Sequence, residues 1–311
     1  MFYIDFPSWI KPQIIPGLPV RWYGLMYIVA FGLAYWFFQR QIKEDGIKVE
    51  KDQVGDYFFW GIVGLILGAR LFSVFIYSDE RLYYFTHPWM IFWPMQNGRL
   101  VGLQGMSYHG GVVGGAAGFI LYCKRKKLNV WLWGDMICTA IPFGYTFGRL
   151  GNFINGELYG RVSTGPLGMR FPQASRFSLD IDWVRQVVEE IGLNTGAAST
   201  VNLPRHPSQL YEALFEGIVL GLILWFVIRP RKPFHGFMIG SYIFGYGFFR
   251  FIIEYFREPD ANLGYVINWG PEENFHLHHS LFNLSTGQIL CFLMMASGVG
   301  IILWARKASK K

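Results

Sequence analysis

Seven apolar segments dominate the sequence and constrain its fold more than any other feature. A bilayer-spanning helix needs about 20 mostly apolar residues, and fewer where it is buried among its neighbours. Hydrophobic residues make up 52% of the chain and charged residues 16%, against roughly 25% charged residues in soluble domains. The sequence therefore predicts an all-α polytopic membrane protein with seven transmembrane helices. The predicted spans are Trp22–Phe38, Tyr57–Tyr77, Gly110–Cys123, Met136–Gly151, Glu212–Ile228, Gly236–Phe256 and Gln288–Trp304.

The third and fourth predicted spans are short and rich in Gly and Ala, so close helix packing is expected there. The three cysteines, Cys123, Cys138 and Cys291, lie in or beside apolar segments. A disulfide framework is therefore not expected. Residues 1–21 lack the basic start and the small-residue cleavage site of a signal peptide, so none is expected.

Lys and Arg are concentrated on one side of the predicted spans. The connections after spans one, three, five and seven carry 15 of them, whereas the much longer connections on the other side carry 10. Because basic residues favour the cytoplasmic side, we expect an external N-terminus and a cytoplasmic C-terminus. The placement of the basic residues indicates that the net charge of +7 reflects contact with a lipid surface rather than with nucleic acid. The 15 residues are Arg40, Lys43, Lys48, Lys51, Lys124, Arg125, Lys126, Lys127, Arg229, Arg231, Lys232, Arg306, Lys307, Lys310 and Lys311.

Three sizeable segments lie outside the membrane in this topology, namely Ser78–Tyr108, Asn152–Tyr211 and Arg257–Gly287. The middle segment is of mixed polarity, with Pro, Gly and Arg throughout. We expect it to form a small extramembrane cap, residues 152–211, inserted between spans four and five. The chain is otherwise expected to form a single integral membrane domain over residues 1–311.

Ionisable side chains inside a span cost roughly 2.5–3.5 kcal/mol each on insertion scales, so each one requires an explanation. Five of the predicted spans carry polar residues at corresponding depths. The topology places these residues at one level, in the outer third of the membrane. They are Tyr23, Arg70, His109, Arg149, Arg250 and Glu254.

These residues also have structural interpretations. An arginine near a span end, such as Arg149, commonly extends to the interface. Arg250 and Glu254 are four residues apart, hence on one helix face, and this spacing fits a structural ion pair. Tyr23 fits an aromatic belt, and His109 alone is typical of a packed interfacial histidine. Their shared level favours a common site.

Two glycine-rich stretches, residues 102–118 and 148–160, include His109 and Arg149. We expect these stretches to interrupt the spans and to present backbone N–H groups, because glycine lets the backbone approach a ligand closely. Such donors beside several arginines favour a phosphate group. In a membrane, the phosphate carrier is a phospholipid headgroup.

Other chemistries find little support in the sequence. It contains no zinc-protease His-Glu-x-x-His, no P-loop and no Gly-x-Ser-x-Gly motif. His276, His278 and His279 lie in a polar loop without Cys or carboxylate partners at a suitable spacing, so no metal is predicted. The three cysteines lie on or near the predicted cytoplasmic half. Any nucleophile is therefore expected to arrive with a substrate.

Six motifs run through almost the whole chain: Trp22–Tyr27, Gly68–Arg70, Ser107–Gly111, Gly148–Glu157, Arg205–Glu212 and Tyr246–Asp260. Together they resemble the prolipoprotein diacylglyceryl transferase family, whose members begin lipoprotein maturation in the bacterial inner membrane. The run Gly148–Glu157 resembles the family signature. The family's seven spans and external N-terminus agree with the predicted topology.

The resemblance implies transfer of the sn-1,2-diacylglyceryl group from phosphatidylglycerol to the thiol of the lipobox cysteine in a preprolipoprotein signal peptide. The products are a thioether and glycerol 1-phosphate. It also implies an active site toward the periplasmic side, surrounding membrane lipids, no cofactor and no nucleic-acid partner. We expect a monomer.

By resemblance, seven residues fall on the family's important positions, and the chemistry of the reaction indicates their roles. The seven are Tyr23, His109, Arg149, Asn152, Glu157, Arg250 and Glu254. The expected catalytic residues are His109, Tyr23, Arg250 and Glu254. His109 is the expected general base, with Tyr23 as its hydrogen-bond partner. A free thiol and a free imidazole differ by about two pKa units, so proton transfer between them costs ~2.7 kcal/mol. Neighbouring arginines would lower the pKa of the thiol and so reduce this cost. Arg149 and Arg250 would bind the phosphate, while Glu254 and Glu157 orient them. The expected phosphatidylglycerol-binding residues are Arg149, Asn152, Glu157, Arg70 and Tyr246, although Arg70 also has a structural interpretation.

Two other classes of protein fit part of the pattern. Intramembrane arginines also mark ion paths, as in an anion transporter. Transporter sites, however, usually lie near the midplane between inverted repeats, and no repeat is found here. A non-catalytic scaffold would leave His109 and the glycine-rich signature without a role.

Overall fold

The computed structural model describes residues 3–15, 21–93, 95–96, 99–100, 105–258, 265–269, 276–277 and 280–309. Helices form most of this part of the chain. They are α1 (Trp22–Glu44), α2 (Gln53–Tyr77), α3 (Arg81–Thr86), α4 (Tyr108–Arg125), α5 (Val130–Asn155), α6 (Asp182–Ile191), α7 (Ser208–Arg231), α8 (Phe237–Ile253) and α9 (Thr286–Ala308). A 3-10 turn follows α3 at Pro88–Phe92.

The described chain also contains short strand pairs, which the all-α prediction missed. One pair is parallel and joins β1 to β4, with Ile4 opposite Met169. The other three pairs are antiparallel: β2–β3, β5–β6 and β7–β8. The strands are β1 (Ile4–Asp5), β2 (Met95–Gln96), β3 (Arg99–Leu100), β4 (Met169–Arg170), β5 (Phe177–Ser178), β6 (Thr200–Val201), β7 (Tyr265–Ile267) and β8 (Leu284–Ser285).

Every predicted span falls on a helix, which confirms the helical interpretation of the apolar segments. Among the described residues, three helices, α2, α7 and α9, are long and apolar enough to cross a membrane, and α8 is a shorter apolar helix. The helices that carry spans three and four extend beyond the predicted spans, since α4 has 18 residues and α5 has 26. Lys124 and Arg125 continue α4, and residues 130–135 precede span four within α5.

The chain divides into two compact units, Met1–Phe38 with Asp135–Lys311, and Gln39–Gly134. In the second unit, α2 packs closely against α4 through glycines on both helices. A Cβ added to Gly114 would lie 2.8 Å from the Gly68 Cα, and one added to Gly118 would lie 3.0 Å from the Trp60 carbonyl carbon. Only glycine permits this approach, so the predicted close packing of span three is confirmed.

The close approach predicts a contrast between two adjacent glycines of α4. We expect Gly114→Ala to lower the free energy of unfolding by about 1–3 kcal/mol, because the new methyl would overlap the α2 backbone. Gly115→Ala is the matched control, since its Cβ would find ordinary contacts at 3.6 Å or more. Thermal unfolding of the two variants in detergent checks the contrast. Equal melting temperatures would contradict the proposed packing role.

In the described residues, the glycine-rich stretches lie at helix ends: the first includes the start of α4, and the second includes the end of α5. Gly148 and the following residues form the last two turns of α5, which ends at Asn155. At the start of α4, the Gly110 N–H donates to Ser107 Oγ at 3.1 Å and the Gly111 N–H to the Ser107 carbonyl at 2.9 Å. The amides of Gly110 and Gly111 are thus engaged by the helix cap, and Gly110 itself serves helix packing.

In the first unit, small residues again set the helix contacts. A Cβ on Gly144 of α5 would lie 3.2 Å from the Ala30 carbonyl carbon of α1, and one on Gly298 of α9 would lie 2.8 Å from the Gly240 carbonyl oxygen of α8. The buried Asp135 of α5 accepts hydrogen bonds from two amides at the start of α8, those of Gly236 at 2.8 Å and of Ile239 at 3.1 Å. This carboxylate therefore caps α8 and ties it to α5.

Residues 152–211 contain their own small hydrophobic core. It is built around α6 and the β5–β6 pair, and its buried members are Val162, Phe177, Val184, Val187, Ile191, Leu193, Val201 and Leu203. Strand β1 adds to this segment by pairing with β4, where Arg170 Nε lies 2.7 Å from Asp5 Oδ1. The cap itself stays a prediction as an extramembrane unit.

Candidate active site

Six charged side chains of the first unit meet in one cluster, here called the arginine–glutamate cluster. They come from α5, from α7, and from α8 with the turn that follows it. Three are positive and three are negative, so the cluster is neutral when all are ionised. Its members are Arg149, Glu212, Glu216, Arg250, Glu254 and Arg257.

Glu212 lies at the centre of this cluster, with a side chain that is 0% exposed. Its Oε2 is 2.9 Å from Arg149 Nε and 2.8 Å from Arg250 Nη1. Its Oε1 is 2.7 Å from Arg257 Nη1. A single buried carboxylate thus contacts three guanidinium groups, which compensates its loss of hydration.

Arg149 is held in the cluster by one end of its guanidinium group. Its Nε lies 2.7 Å from the Tyr145 hydroxyl as well as near Glu212. Among the residues that the structure describes, no hydrogen-bond partner contacts its Nη1 or Nη2. The side chain is 14% exposed. The planar outer edge of Arg149 is therefore one part of the cluster that is available for a bidentate contact with an anion.

The other two carboxylates reinforce the same arginines. Glu254 Oε2 lies 3.5 Å from Arg250 Nε and 3.2 Å from Arg257 Nε, as the four-residue spacing of Arg250 and Glu254 predicts. Glu216 is one turn along α7 from Glu212; it accepts a hydrogen bond from Tyr145 and lies 3.7 Å from Arg250 Nη1. The ring of Tyr246 packs edge-on against Tyr145, with 5.7 Å between centroids.

Asn152 and Glu157 lie at the end of α5 and contact each other. Gly156, with φ 66°, ends the helix in a left-handed conformation that favours glycine. The Asn152 and Asn155 amides then donate to Glu157 Oε1 at 3.0 and 3.2 Å. Among the described residues Glu157 has no arginine within ion-pair distance, so the expectation that it orients an arginine is not met. The turn at Gly156 folds its carboxylate back onto the asparagines instead.

Tyr23 lies near the start of α1, where its hydroxyl is 2.9 Å from that of Tyr27. The same α1 turn packs on the end of α5: a Cβ added to Gly151 would lie 3.3 Å from the Tyr23 ring. Tyr23 and the glycine-rich signature of α5 are therefore neighbours in the first unit.

His109 and Arg70 belong to the second unit. His109 Nδ1 lies 3.2 Å from the Tyr77 hydroxyl, so its imidazole has a hydrogen-bond partner within its own unit, and the pairing with Tyr23 of the first unit stays a prediction. Tyr77 comes into reach because the end of α2 widens into a π-helical turn at Ser73–Tyr77. Arg70 donates to the carbonyl oxygens of Ile91 and Gly105 and stacks on Tyr84. These contacts give Arg70 a structural role within the second unit.

Sequence reasoning missed Glu216, Arg257 and Tyr145, and it noted Glu212 only as the end of a motif. The two glutamates carried a usable signal. They are four residues apart within an apolar segment, so the cost of burying a charge applied to them as it did to the arginines. Tyr145 carried no such signal, because aromatic residues occur throughout the chain.

A second charged group ties residues 152–211 to the segments that follow α8. Glu258 contacts both the buried Arg205 and His276 Nδ1. Burial alone would raise the pKa of Glu258, but the hydrogen bond with His276 and the charge of Arg205 outweigh it, so the pKa lies below its usual value. His276 also stacks on Trp183.

The contacts of His276 with Glu258 and Trp183 explain it as a structural residue. His278 and His279 lie outside the described residues, as do Pro259 and Asp260 at the start of the loop after Glu258. Within the described ranges no three His, Cys, Asp or Glu side chains form a group that could hold a metal ion. The three cysteines are free thiols.

Apolar helices of membrane-spanning length together with a buried arginine–glutamate cluster place the chain among the α-helical integral membrane proteins. A family model described as prolipoprotein diacylglyceryl transferase matches residues 12–304. The chain belongs to this family.

Individual relatives extend the match over the whole chain. A phosphatidylglycerol–prolipoprotein diacylglyceryl transferase of Treponema denticola is 51% identical, covering 99% of this chain and 96% of the relative. The Treponema pallidum protein of the same name is 46% identical over 96% of this chain and 94% of its own length. That of Chlorobaculum tepidum is 40% identical over 99% and 96%.

Proposed function

We propose that this protein is a transferase that moves the sn-1,2-diacylglyceryl group from phosphatidylglycerol to the lipobox cysteine of a preprolipoprotein. The family match and the names of the full-length relatives support this function. In the reaction, a C–S bond forms between the cysteine sulfur and the diacylglyceryl carbon that carries the phosphate. The bond between that carbon and the phosphate oxygen breaks. The thiol proton passes to a base, and glycerol 1-phosphate leaves.

The observation in the site that best supports this function is the outer edge of the Arg149 guanidinium group. Its Nη1 and Nη2 have no hydrogen-bond partner among the described residues. The leaving group is a phosphate, on which negative charge grows as the C–O bond breaks. A guanidinium already fixed through its Nε by Tyr145 and Glu212 can bind two phosphate oxygens without reorganisation. Preorganised donors of this kind are usually the largest contribution to catalysis.

The remaining predicted residues divide by their contacts. Arg250 is the second arginine for the phosphate, and Glu254 fixes it. Asn152, Glu157 and Tyr23 line the end of α5 and the adjoining turn of α1, where they would bind the polar headgroup, and Tyr246 supports Tyr145. Arg70 stays a predicted lipid-binding residue.

His109 is our proposed general base. Its imidazole lies in the first turn of α4 with the Tyr77 hydroxyl on Nδ1. That contact would orient the ring and leave Nε2 to take the proton from the thiol. No cofactor is required, since the nucleophile comes with the acceptor peptide.

We also propose that all seven predicted segments span the bacterial inner membrane, with the N-terminus and the active site toward the periplasm and the C-terminus in the cytoplasm. The basic connections after alternate spans support this orientation. The protein would act as a monomer.

The test uses purified protein in detergent, phosphatidylglycerol and a synthetic lipobox peptide. We expect release of glycerol phosphate together with a diacylglyceryl mass gain on the peptide. A peptide with Cys→Ser at the lipobox position is the matched control and should give neither product. Folded protein that yields no product with the cysteine peptide would exclude the proposed activity.

A further inference from the structure

Glu212 has more ionic partners than any other described carboxylate of the cluster. It reaches α5 through Arg149, α8 through Arg250, and the turn after α8 through Arg257, at 2.9, 2.8 and 2.7 Å. Arg250 and Arg257 also share Glu254. Among the described carboxylates of the cluster, only Glu212 joins Arg149 to both of the other arginines.

The contacts of Glu212 also determine which guanidinium nitrogens of Arg149 and Arg250 remain available to a phosphate. Arg149 is bound through Nε and Arg250 through Nη1, so rotation of either group about its long axis would break a contact with a buried charge. The Tyr145 hydroxyl supplies a second contact to Arg149 Nε at 2.7 Å. Both phosphate-binding arginines thus have a fixed orientation before any lipid arrives.

We propose that Glu212 is the positioning residue of the transfer reaction: it fixes the arginines that receive the leaving phosphate and does not itself touch the substrate. This inference rests on the proposed transferase function. Its physical basis is that a displacement of about 1 Å in a charge-stabilising group can cost about 100-fold in rate. Glu212 is then a determinant of turnover, although its side chain is completely buried.

The competing explanation is charge balance alone. Three buried arginines require three negative charges, and any buried carboxylate nearby would satisfy that need. Glu216 separates the two explanations. It lies on the same helix, is also 0% exposed, and is 3.7 Å from Arg250 Nη1, with no described ion pair to Arg149 or Arg257. When ionised, it contributes the same charge without joining the arginines.

The experiment compares Glu212→Gln with Glu216→Gln, each of which removes one buried charge with almost no change in shape. Turnover and the KM for phosphatidylglycerol are measured with the lipobox peptide, alongside the melting temperature. For Glu212→Gln we expect kcat to fall about 100-fold with KM changed less than about threefold, because the arginines keep their charge but lose their alignment. For Glu216→Gln we expect a fall in kcat at least about tenfold smaller.

A second pair of variants covers the case in which loss of the charge prevents folding. Glu212→Asp and Glu216→Asp retain the charge and withdraw the carboxylate by one methylene. We expect Glu212→Asp to fold, to melt near the wild-type temperature and to lose at least about tenfold in kcat, since one shortened side chain cannot reach all three arginines. Glu216→Asp should lose less than about threefold.

Equal losses of kcat in the Glu212 and Glu216 variants would overturn the inference in favour of charge balance. So would Glu212 variants with wild-type kcat and a changed KM, which would show an effect on binding alone. A lower melting temperature with unchanged kcat per folded molecule would indicate a structural residue only. These outcomes all presuppose an active wild-type protein, whereas an inactive folded wild type would overturn the proposed function itself.

Discussion

Arg149→Ala is expected to lower diacylglyceryl transfer by about 100- to 1,000-fold, the usual cost of removing one preorganised donor to a developing negative charge. The free Nη1 and Nη2 of Arg149 would no longer receive the leaving phosphate. The variant also leaves Glu212 with two of its three arginines. The measurement is the initial rate of glycerol phosphate release at saturating lipid, with folding checked by thermal unfolding.

Two further variants give this prediction its controls. Arg149→Lys keeps the positive charge but cannot bind Tyr145, Glu212 and two phosphate oxygens at once, so we expect it to recover only a small part of the rate. Arg185→Ala removes an exposed arginine that pairs with Asp182 on α6 and should leave transfer unchanged. An Arg149→Ala protein with near-wild-type rate and lipid affinity would remove the phosphate-binding role.

His109→Gln should reduce transfer by a factor of about 100 to 10,000, the range that general-base catalysis contributes. Glutamine retains the polarity and much of the volume of histidine but cannot accept the thiol proton. Because thiolate forms more readily at high pH, we expect the deficit of the variant to shrink as the pH rises toward the free thiol pKa of about 8.5. Rate against pH for the wild type and the variant measures this directly.

Tyr77→Phe is the matched variant for the base assignment. It removes the hydroxyl that contacts His109 Nδ1 and keeps the ring, so we expect only a modest loss, about threefold to tenfold, the effect of a less well oriented imidazole. Near-wild-type activity of His109→Gln would show that another group takes the proton. A pH-independent deficit would argue for a structural role of His109 instead.

The helices were predictable because the signal for them is local. A run of apolar residues needs no knowledge of the rest of the chain to indicate a buried helix, and all seven runs fall on helices. Family membership was predictable for the same reason, since the motif Gly148–Glu157 is contiguous. The helix ends were not, because basic residues such as Lys124 and Arg125 at the end of α4 continue a helix without contributing to the apolar pattern.

The glycines are a case in which a correct observation on the sequence, that the backbone approaches something closely, led to a wrong prediction of what it approaches. The sequence indicated that the backbone around His109 and Arg149 comes close to something, and we expected a ligand. In the second unit the close neighbour is another helix: Gly114 of α4 lies against Gly68 of α2. Glycine permits close approach in either case, and only the packed structure distinguishes a helix from a ligand.

What the sequence determined by itself is the class of the protein: a helical membrane protein of the prolipoprotein diacylglyceryl transferase family. It also pointed to Arg149, Arg250 and Glu254 as costly intramembrane charges. The four-residue spacing also predicted the pairing of Arg250 with Glu254, whereas the tertiary structure alone decided which partners come from other segments. Glu212 lies 38 residues from Arg250 and 45 from Arg257 along the chain, and no local pattern couples positions so far apart. The physical reason is that burial of a charge demands a partner but does not say which one; helix packing makes that choice.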